Sequence, residues 1–173
     1  GLKEKEVGFS GEMTLYEYYA NGLLKRVKRC LDSDCTGYFT TSYEEYDIFG
    51  NPTKVREEDG RLIEYKYDLW GRVVWQRETS SNNKEIREKS NIYSIAGLIE
   101  REVDYGGKSS TSYVYDKYGR ILEKKRDIKV MGIWFTTNKE RYGYDDSGRM
   151  IRKEYILDNE VRKVESYRYN AGG

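Results

Sequence analysis

The sequence predicts an all-β protein, a continuous antiparallel meander of about fourteen strands, and three observations carry that prediction. The 173 residues hold 18 Tyr and 17 Gly but only three Ala, so helix propensity is poor and strand propensity is good. A tyrosine motif of period two recurs along the chain. Each copy runs into a turn sequence ending in Gly, after which apolar and charged residues alternate, and that combination signals a β-hairpin.

The motif is Y-x-Y-D-x-x-G-R. It stands as YKYDLWGR at residues 65 to 72, YVYDKYGR at 113 to 120 and YGYDDSGR at 142 to 149. Weaker copies align on the same Gly: YEYYANG from Tyr16, EEYDIFGN from Glu44, NIYSIAG from Asn91 and YRYNAGG from Tyr167. The glycines in register are Gly1, Gly22, Gly50, Gly71, Gly97, Gly119, Gly148 and Gly173, a repeat of about 25 residues.

The motif chemistry specifies the turn. Asp bonds its own backbone to start a type I turn, and Gly takes the left-handed position of a three-residue loop. Asp47 with Gly50, Asp68 with Gly71, Asp116 with Gly119 and Asp145 with Gly148 are the expected turn residues. Asp68 then faces Arg72, Asp116 faces Arg120 and Asp145 faces Arg149. Continued along the strands, this register sets Tyr67 opposite Val73, Lys66 opposite Val74 and Tyr65 opposite Trp75, with Tyr115 opposite Ile121 and Tyr144 opposite Met150.

In chain order, residues 1 to 7 read like the half-repeat that follows each motif Gly, as GLIEREV does at 97 to 103. Between the motif turns lie short connections at 57 to 61, 79 to 85, 104 to 109 and 157 to 160, where Asp59-Gly60 and Gly106-Gly107 are ordinary hairpin tips. Two connections are longer, at 29 to 40 and 127 to 138. Residues 167 to 173 form a closing half-repeat, so 1 to 173 reads as a single repeat domain with half-repeats at its ends.

Tyr16, Tyr18, Tyr46, Tyr65, Tyr67, Tyr93, Tyr113, Tyr115, Tyr142, Tyr144, Tyr167 and Tyr169 are expected on one face. A mean hydropathy of −0.92 is too polar for two sheets on a full apolar core. It points to a twisted or curved, mostly single-layer sheet, flat or rolled into a partial shell. Tyr rings and the stems of Lys, Arg and Glu would cover it.

Composition also excludes functions. The chain has no His, so it lacks Ser/His and Cys/His dyads, imidazole metal sites and a His-based pH switch. With 31 Lys+Arg against 30 Asp+Glu, there is no long-range pull toward nucleic acid or an anionic membrane. No apolar run approaches the ~20 residues of a membrane-spanning helix. The expected catalytic, cofactor and metal residues are none, because each motif Asp already has a turn to make.

The Y-x-Y-D-x-x-G-R pattern resembles the YD repeat of the rearrangement-hotspot (RHS) family, over nearly the whole chain. Members of that family look like large secreted or surface proteins, among them bacterial polymorphic toxins, shells of insecticidal toxin complexes, wall-associated proteins and teneurins. The resemblance implies hairpins wound into a β-sheet shell, an extracellular or cell-surface location in a bacterium, and a non-enzymatic scaffold role. This chain is too short for a closed cocoon and holds no RHS core-boundary segment or toxin domain.

Four places stand out as candidate sites. Cys30 and Cys35, in CLDSDC, are read as a disulfide stapling a loop, with a redox pair, or a metal loop with Asp32 and Asp34, as alternatives; two Cys without His are too few for a closed zinc site. Trp75 and Trp134, with Trp70, offer an aromatic platform for a polysaccharide. The apolar run VMGIWF at 130 to 135 is either a local cap or a partner contact. Gly1, Leu2, Val7, Tyr167 and Tyr169 mark sheet edges that can join adjoining repeats or a second copy head to tail.

Overall fold

The computed structural model describes residues 1 to 104 and 106 to 170. All regular structure among them is β. The strands are β1 (Lys5–Val7), β2 (Met13–Tyr18), β3 (Leu24–Cys30), β4 (Tyr38–Tyr46), β5 (Pro52–Arg56), β6 (Leu62–Tyr67), β7 (Val73–Thr79), β8 (Ile86–Tyr93), β9 (Ile99–Asp104), β10 (Ser109–Tyr115), β11 (Ile121–Val130), β12 (Ile133–Tyr144), β13 (Met150–Leu157) and β14 (Glu160–Ser166). They follow one another in chain order as an antiparallel meander, with β1 and β14 at its ends. The chain divides into two compact units, Gly1–Glu88 and Lys89–Gly173, with the boundary inside β8.

Each motif turn is built as its residues dictate. In the third copy the Gly71 amide donates to the Asp68 carbonyl at 3.0 Å and the Asp68 amide donates to the Arg72 carbonyl at 3.0 Å. Gly71 sits at φ 75° and Gly119 at φ 80°, where a side chain would be strained. The same pair of backbone bonds closes the turns at Gly22, Gly50, Gly97, Gly119 and Gly148.

The register departs from a simple hairpin one step beyond the turn. Tyr67 pairs with Val73, but Lys66 pairs with Trp75 and Tyr65 with Gln76. The expected pairs Lys66 with Val74 and Tyr65 with Trp75 are therefore wrong. Val74 is an extra residue on the return strand, a β-bulge. It recurs at the same place in other copies, where Lys25, Glu100, Leu122 and Ile151 are passed over. Tyr115 opposite Ile121 and Tyr144 opposite Met150 lie before the bulge and pair as expected.

A second bulge corrects the alignment of the Asp47 copy. Tyr43 pairs with Val55 and Glu45 with Lys54, so Glu44 is the extra residue and Tyr43 holds the first-tyrosine place. The two long connections are shorter than expected, and the second is mostly strand. Only residues 31 to 37 lie between β3 and β4, and only Met131 and Gly132, at φ 51° and 83°, lie between β11 and β12. Paired left-handed residues make the tight two-residue turn that matches strand twist, and Asp158-Asn159 do the same between β13 and β14.

Few side chains are fully withdrawn from water. The accessible surface is 12285 Å², against about 8,900 Å² for a compact globular protein of this mass. Among the described residues, Val55, Ile63 and Ile156 are the buried apolar side chains, with Ser110 and Asp127 the buried polar ones. Val55 and Ile63 face each other across β5 and β6, and Val55 also faces Tyr43. This row forms the apolar centre of the first unit.

Candidate functional site

The most regular feature of the molecule is the joint between successive hairpins. The second tyrosine of a copy donates its hydroxyl hydrogen bond to a backbone carbonyl of the copy before it. Tyr67 bonds the Pro52 carbonyl at 2.7 Å, Tyr115 the Ile99 carbonyl at 2.7 Å and Tyr144 the Ile121 carbonyl at 2.8 Å. Tyr46 reaches the Leu24 carbonyl in the same way. The acceptor always stands two residues after the preceding motif Gly.

The reason is backbone accounting. The ladder between neighbouring hairpins stops short of the motif turn: β5 and β6 last pair at Lys54 and Glu64, and β11 and β12 at Glu123 and Arg141. The carbonyl beyond the last rung has no strand partner on that side. A tyrosine hydroxyl from the next copy supplies the missing donor. Pro52 is tolerated there because the position needs only its carbonyl.

The motif Asp and Arg complete the joint. The Asp116 carboxylate accepts from the Tyr118 amide at 2.8 Å, the Arg120 amide at 3.0 Å and the Arg120 guanidinium Nε at 2.6 Å. Desolvation pushes this carboxyl up, and the bonds from Arg120 outweigh it, leaving it below the usual value. The Arg120 guanidinium also lies 4.7 Å from the Tyr144 ring centroid, in the next copy. Asp68 with Arg72 repeats the clamp, and Asp145 with Arg149 does so with the Arg149 guanidinium 4.8 Å from Tyr169.

Copies that lack Asp or Arg substitute for them. In the first copy Tyr19 stands at the Asp place, sets its ring edge-on to Tyr46 at 6.3 Å and donates to the Tyr43 carbonyl at 2.8 Å. Ser94 accepts from the Leu98 amide at 3.1 Å, and Asn51 replaces Arg by donating its side-chain amide to Asp47 at 2.9 Å. Reading the motif alone missed Tyr19 and Tyr43. Their signal was a tyrosine one place off the period.

The same joint reaches both half-repeats. The Lys3 carbonyl accepts from Tyr18 at 2.7 Å, and the Leu2 side chain lies beneath the Gly22 turn. At the other end the Tyr167 amide donates to the Ile151 carbonyl at 2.9 Å, and Tyr169 donates to the Met150 carbonyl at 2.7 Å. Tyr167 also donates to Glu165 at 2.8 Å; the Lys163 ammonium first, and this hydroxyl second, draw the Glu165 carboxyl down to about 2. Val7 is an exposed residue of the edge strand β1. Gly1 lies before that strand, and Gly173 lies outside the described residues.

The remaining candidates are local features. Cys30 and Cys35 are joined as a disulfide with Cα atoms 4.8 Å apart. Asp32 caps this loop by accepting from the Thr36 and Gly37 amides at 2.9 Å each. Trp75 and Trp134 lie in different units. The bulge places Trp75 on the face of Lys66, away from Tyr65 and Tyr67, and Lys66 and Arg77 lie 4.9 and 5.8 Å from its ring centroid. Arg101 and Lys129 lie 5.4 and 5.7 Å from Trp134. No cluster of metal-ligating side chains occurs among the described residues.

No family profile matches the chain, and no curated protein matches it in sequence. Solved structures do match in fold. The structure of TcdB2-TccC3-Cdc42 superposes with a TM-score of 0.74 at 18% identity, over 92% of this chain and 9% of that one. TcdB2-TccC3 gives a TM-score of 0.72 at 19% identity, over 91% of this chain and 9% of that one. TcdB2-TccC3-TEV gives 0.70 at 20%, over 91% and 8%. The chain thus shares the fold of a stretch of those proteins and spans about a tenth of their length.

Proposed function

We propose that this chain is a non-enzymatic structural scaffold, a stretch of YD-repeat sheet whose two edges are extended by adjoining YD hairpins. The observation that carries this reading is the inter-hairpin tyrosine joint, which continues unchanged into both half-repeats at Tyr18 on Lys3 and Tyr169 on Met150. Each hairpin is thereby a template for the next. The motif carboxylates are committed to turns, which favours a scaffold over a catalyst. The fold shared with TcdB2-TccC3 supports the same reading and suggests a shell wall. The Cys30–Cys35 bridge favours an oxidising, extracellular or cell-surface setting.

The adjoining hairpin comes from flanking repeats of a longer chain or from a second copy joined head to tail. The second case has a definite geometry. In a complete copy the second tyrosine pairs two residues past the Gly and the first tyrosine five past it, as with Tyr67 on Val73 and Tyr65 on Gln76. A neighbour's Lys3 would therefore face Tyr169, and its Glu6 would face Tyr167. Electron microscopy and light scattering on the purified chain, beside a variant lacking residues 167 to 173, separate the cases. Rings or filaments lost on deletion, and a Glu6→Cys/Tyr167→Cys chain that cross-links between molecules, establish head-to-tail assembly. A monomer at every concentration removes it and leaves flanking repeats as the neighbours.

A further inference from the structure

The hairpin of β11 and β12 carries an element that the scaffold does not use. Its pairing runs to Val130 opposite Ile133, with Lys129 opposite Trp134 and Ile128 opposite Phe135. β13 pairs with β12 only as far as Lys139 opposite Ile156, so residues 133 to 138 extend past their neighbour on that side. At the apex Met131 is 98% exposed, Ile133 61% and Phe135 50%. Alternation puts Ile128, Val130, Ile133 and Phe135 on one face. Exposed apolar residues gathered at one tip mark a contact surface.

Charge identifies the partner. From residue 123 to 140 the hairpin holds Lys124, Lys125, Arg126, Lys129 and Lys139 against Glu123, Asp127 and Glu140, with Glu123 paired to Lys139 at 2.8 Å and Glu140 to Lys153 at 3.2 Å. Asp127 is buried and held by Thr136 at 2.8 Å and Lys125 at 3.3 Å. Lys108 stands beside the tip, its carbonyl accepting from the Lys129 amide at 2.7 Å, and Arg101 stacks on Trp134. Asp158 borders the cavity under Trp134 and Phe135, and cations still outnumber acids around the tip. The near-zero charge of the whole chain conceals this cluster.

We propose that the tip at residues 129 to 135 seats shallowly in an anionic lipid surface, with Val130, Met131 and Ile133 below the headgroups and Phe135 and the basic collar among them. From the Lys129–Trp134 rung to the apex is about two residues, or ~7 Å, which matches the depth of interfacial elements. Trp134 then lies at headgroup level, where indole is favoured. Deeper entry is barred because the extended β12 edge would carry unpaired backbone groups into hydrocarbon.

The test uses the full chain in a Trp70→Phe/Trp75→Phe background, so that Trp134 alone fluoresces, with circular dichroism confirming the β fold of each variant. Mixed phosphatidylserine–phosphatidylcholine vesicles should carry the protein in sedimentation, and phosphatidylcholine alone should not. The Trp134 emission should move to the blue and be quenched by lipids brominated near the headgroup. Met131→Asp/Ile133→Asp should weaken partition at least tenfold, and Arg126→Glu/Lys129→Glu should remove the preference for anionic lipid. A folded chain that ignores anionic vesicles overturns the proposal, and so does binding unchanged by the tip substitutions. Self-association without lipid that the same substitutions abolish also overturns it, in favour of a second copy.

Discussion

At the scale of single residues, the tyrosine hydroxyl is the part of the motif whose role the sequence leaves unstated. Period-two spacing makes Tyr65 and Tyr67 neighbours on a strand, but nothing in it says that the second ring reaches back to Pro52 in the preceding copy. Tyr144→Phe keeps the ring beneath Arg120 and removes only the bond to the Ile121 carbonyl. A neutral hydrogen bond contributes about 0.5–1.5 kcal/mol, which is ~2–4 °C of melting temperature per kcal/mol for a domain of this length. Tyr67→Phe should cost a similar amount, and the double variant should show the sum, because the two sites lie in different units and share no partner. Thermal melts followed by circular dichroism check both. The motif carboxylates add a pH dependence. Asp145 sits below its usual value of 3.8, held there first by the Arg149 amide, and Asp68 and Asp116 are shifted the same way. A carboxyl depressed in the folded state stabilises above the unfolded value and loses that contribution as pH falls through the folded one. Melting temperature should therefore be insensitive to these groups above pH ~4 and fall below it, and Asp116→Asn should start lower and fall less.

At the scale of the hairpin, the turns were legible and the register beyond them was not. Asp-x-x-Gly specifies its conformation through local bonds, so Asp68, Gly71 and Arg72 are placed by the residues themselves. A bulge is set by how a twisted hairpin closes on its neighbour, which four local residues do not encode, and so Trp75 was assigned to the wrong face. The connections at 29 to 40 and 127 to 138 looked like loops because their strands lack the tyrosine period. The positive φ of Met131 is a tertiary demand on a residue that rarely accepts it. Two predictions belong here. Gly119 stands at φ 80°, and a Cβ there would cost about 1–2 kcal/mol, so Gly119→Ala should lower the melting temperature clearly. Lys117→Ala, in the same turn, should change it little. Reduction of the Cys30–Cys35 bridge frees a short loop, for which chain entropy gives ~2 kcal/mol. Melting with and without reductant should show that loss, and Cys30→Ser/Cys35→Ser should be insensitive to reductant.

At the scale of the whole molecule, a chain with so few buried side chains cannot owe its stability to one core. Within each unit the tyrosine joint recurs from one hairpin to the next, so stability is spread along the sequence as a sum of neighbour terms, as in other repeat proteins. The end strands then have half the support of the inner ones. β1 is three residues long with every residue exposed, and β14 is exposed at all but one position. By contrast β5 and β6 share the buried Val55–Ile63 pair, and β10 and β11 share the buried Ser110–Asp127 pair. Hydrogen exchange should therefore be graded within each unit, slowest in β5–β6 and in β10–β11 and fastest in β1 and β14. Uniform protection across all strands would mean a single cooperative fold and would remove the neighbour-by-neighbour account. Protection of β1 and β14 that rises with protein concentration would instead show the edges finding partners, the behaviour expected of a sheet that adds hairpins at its ends.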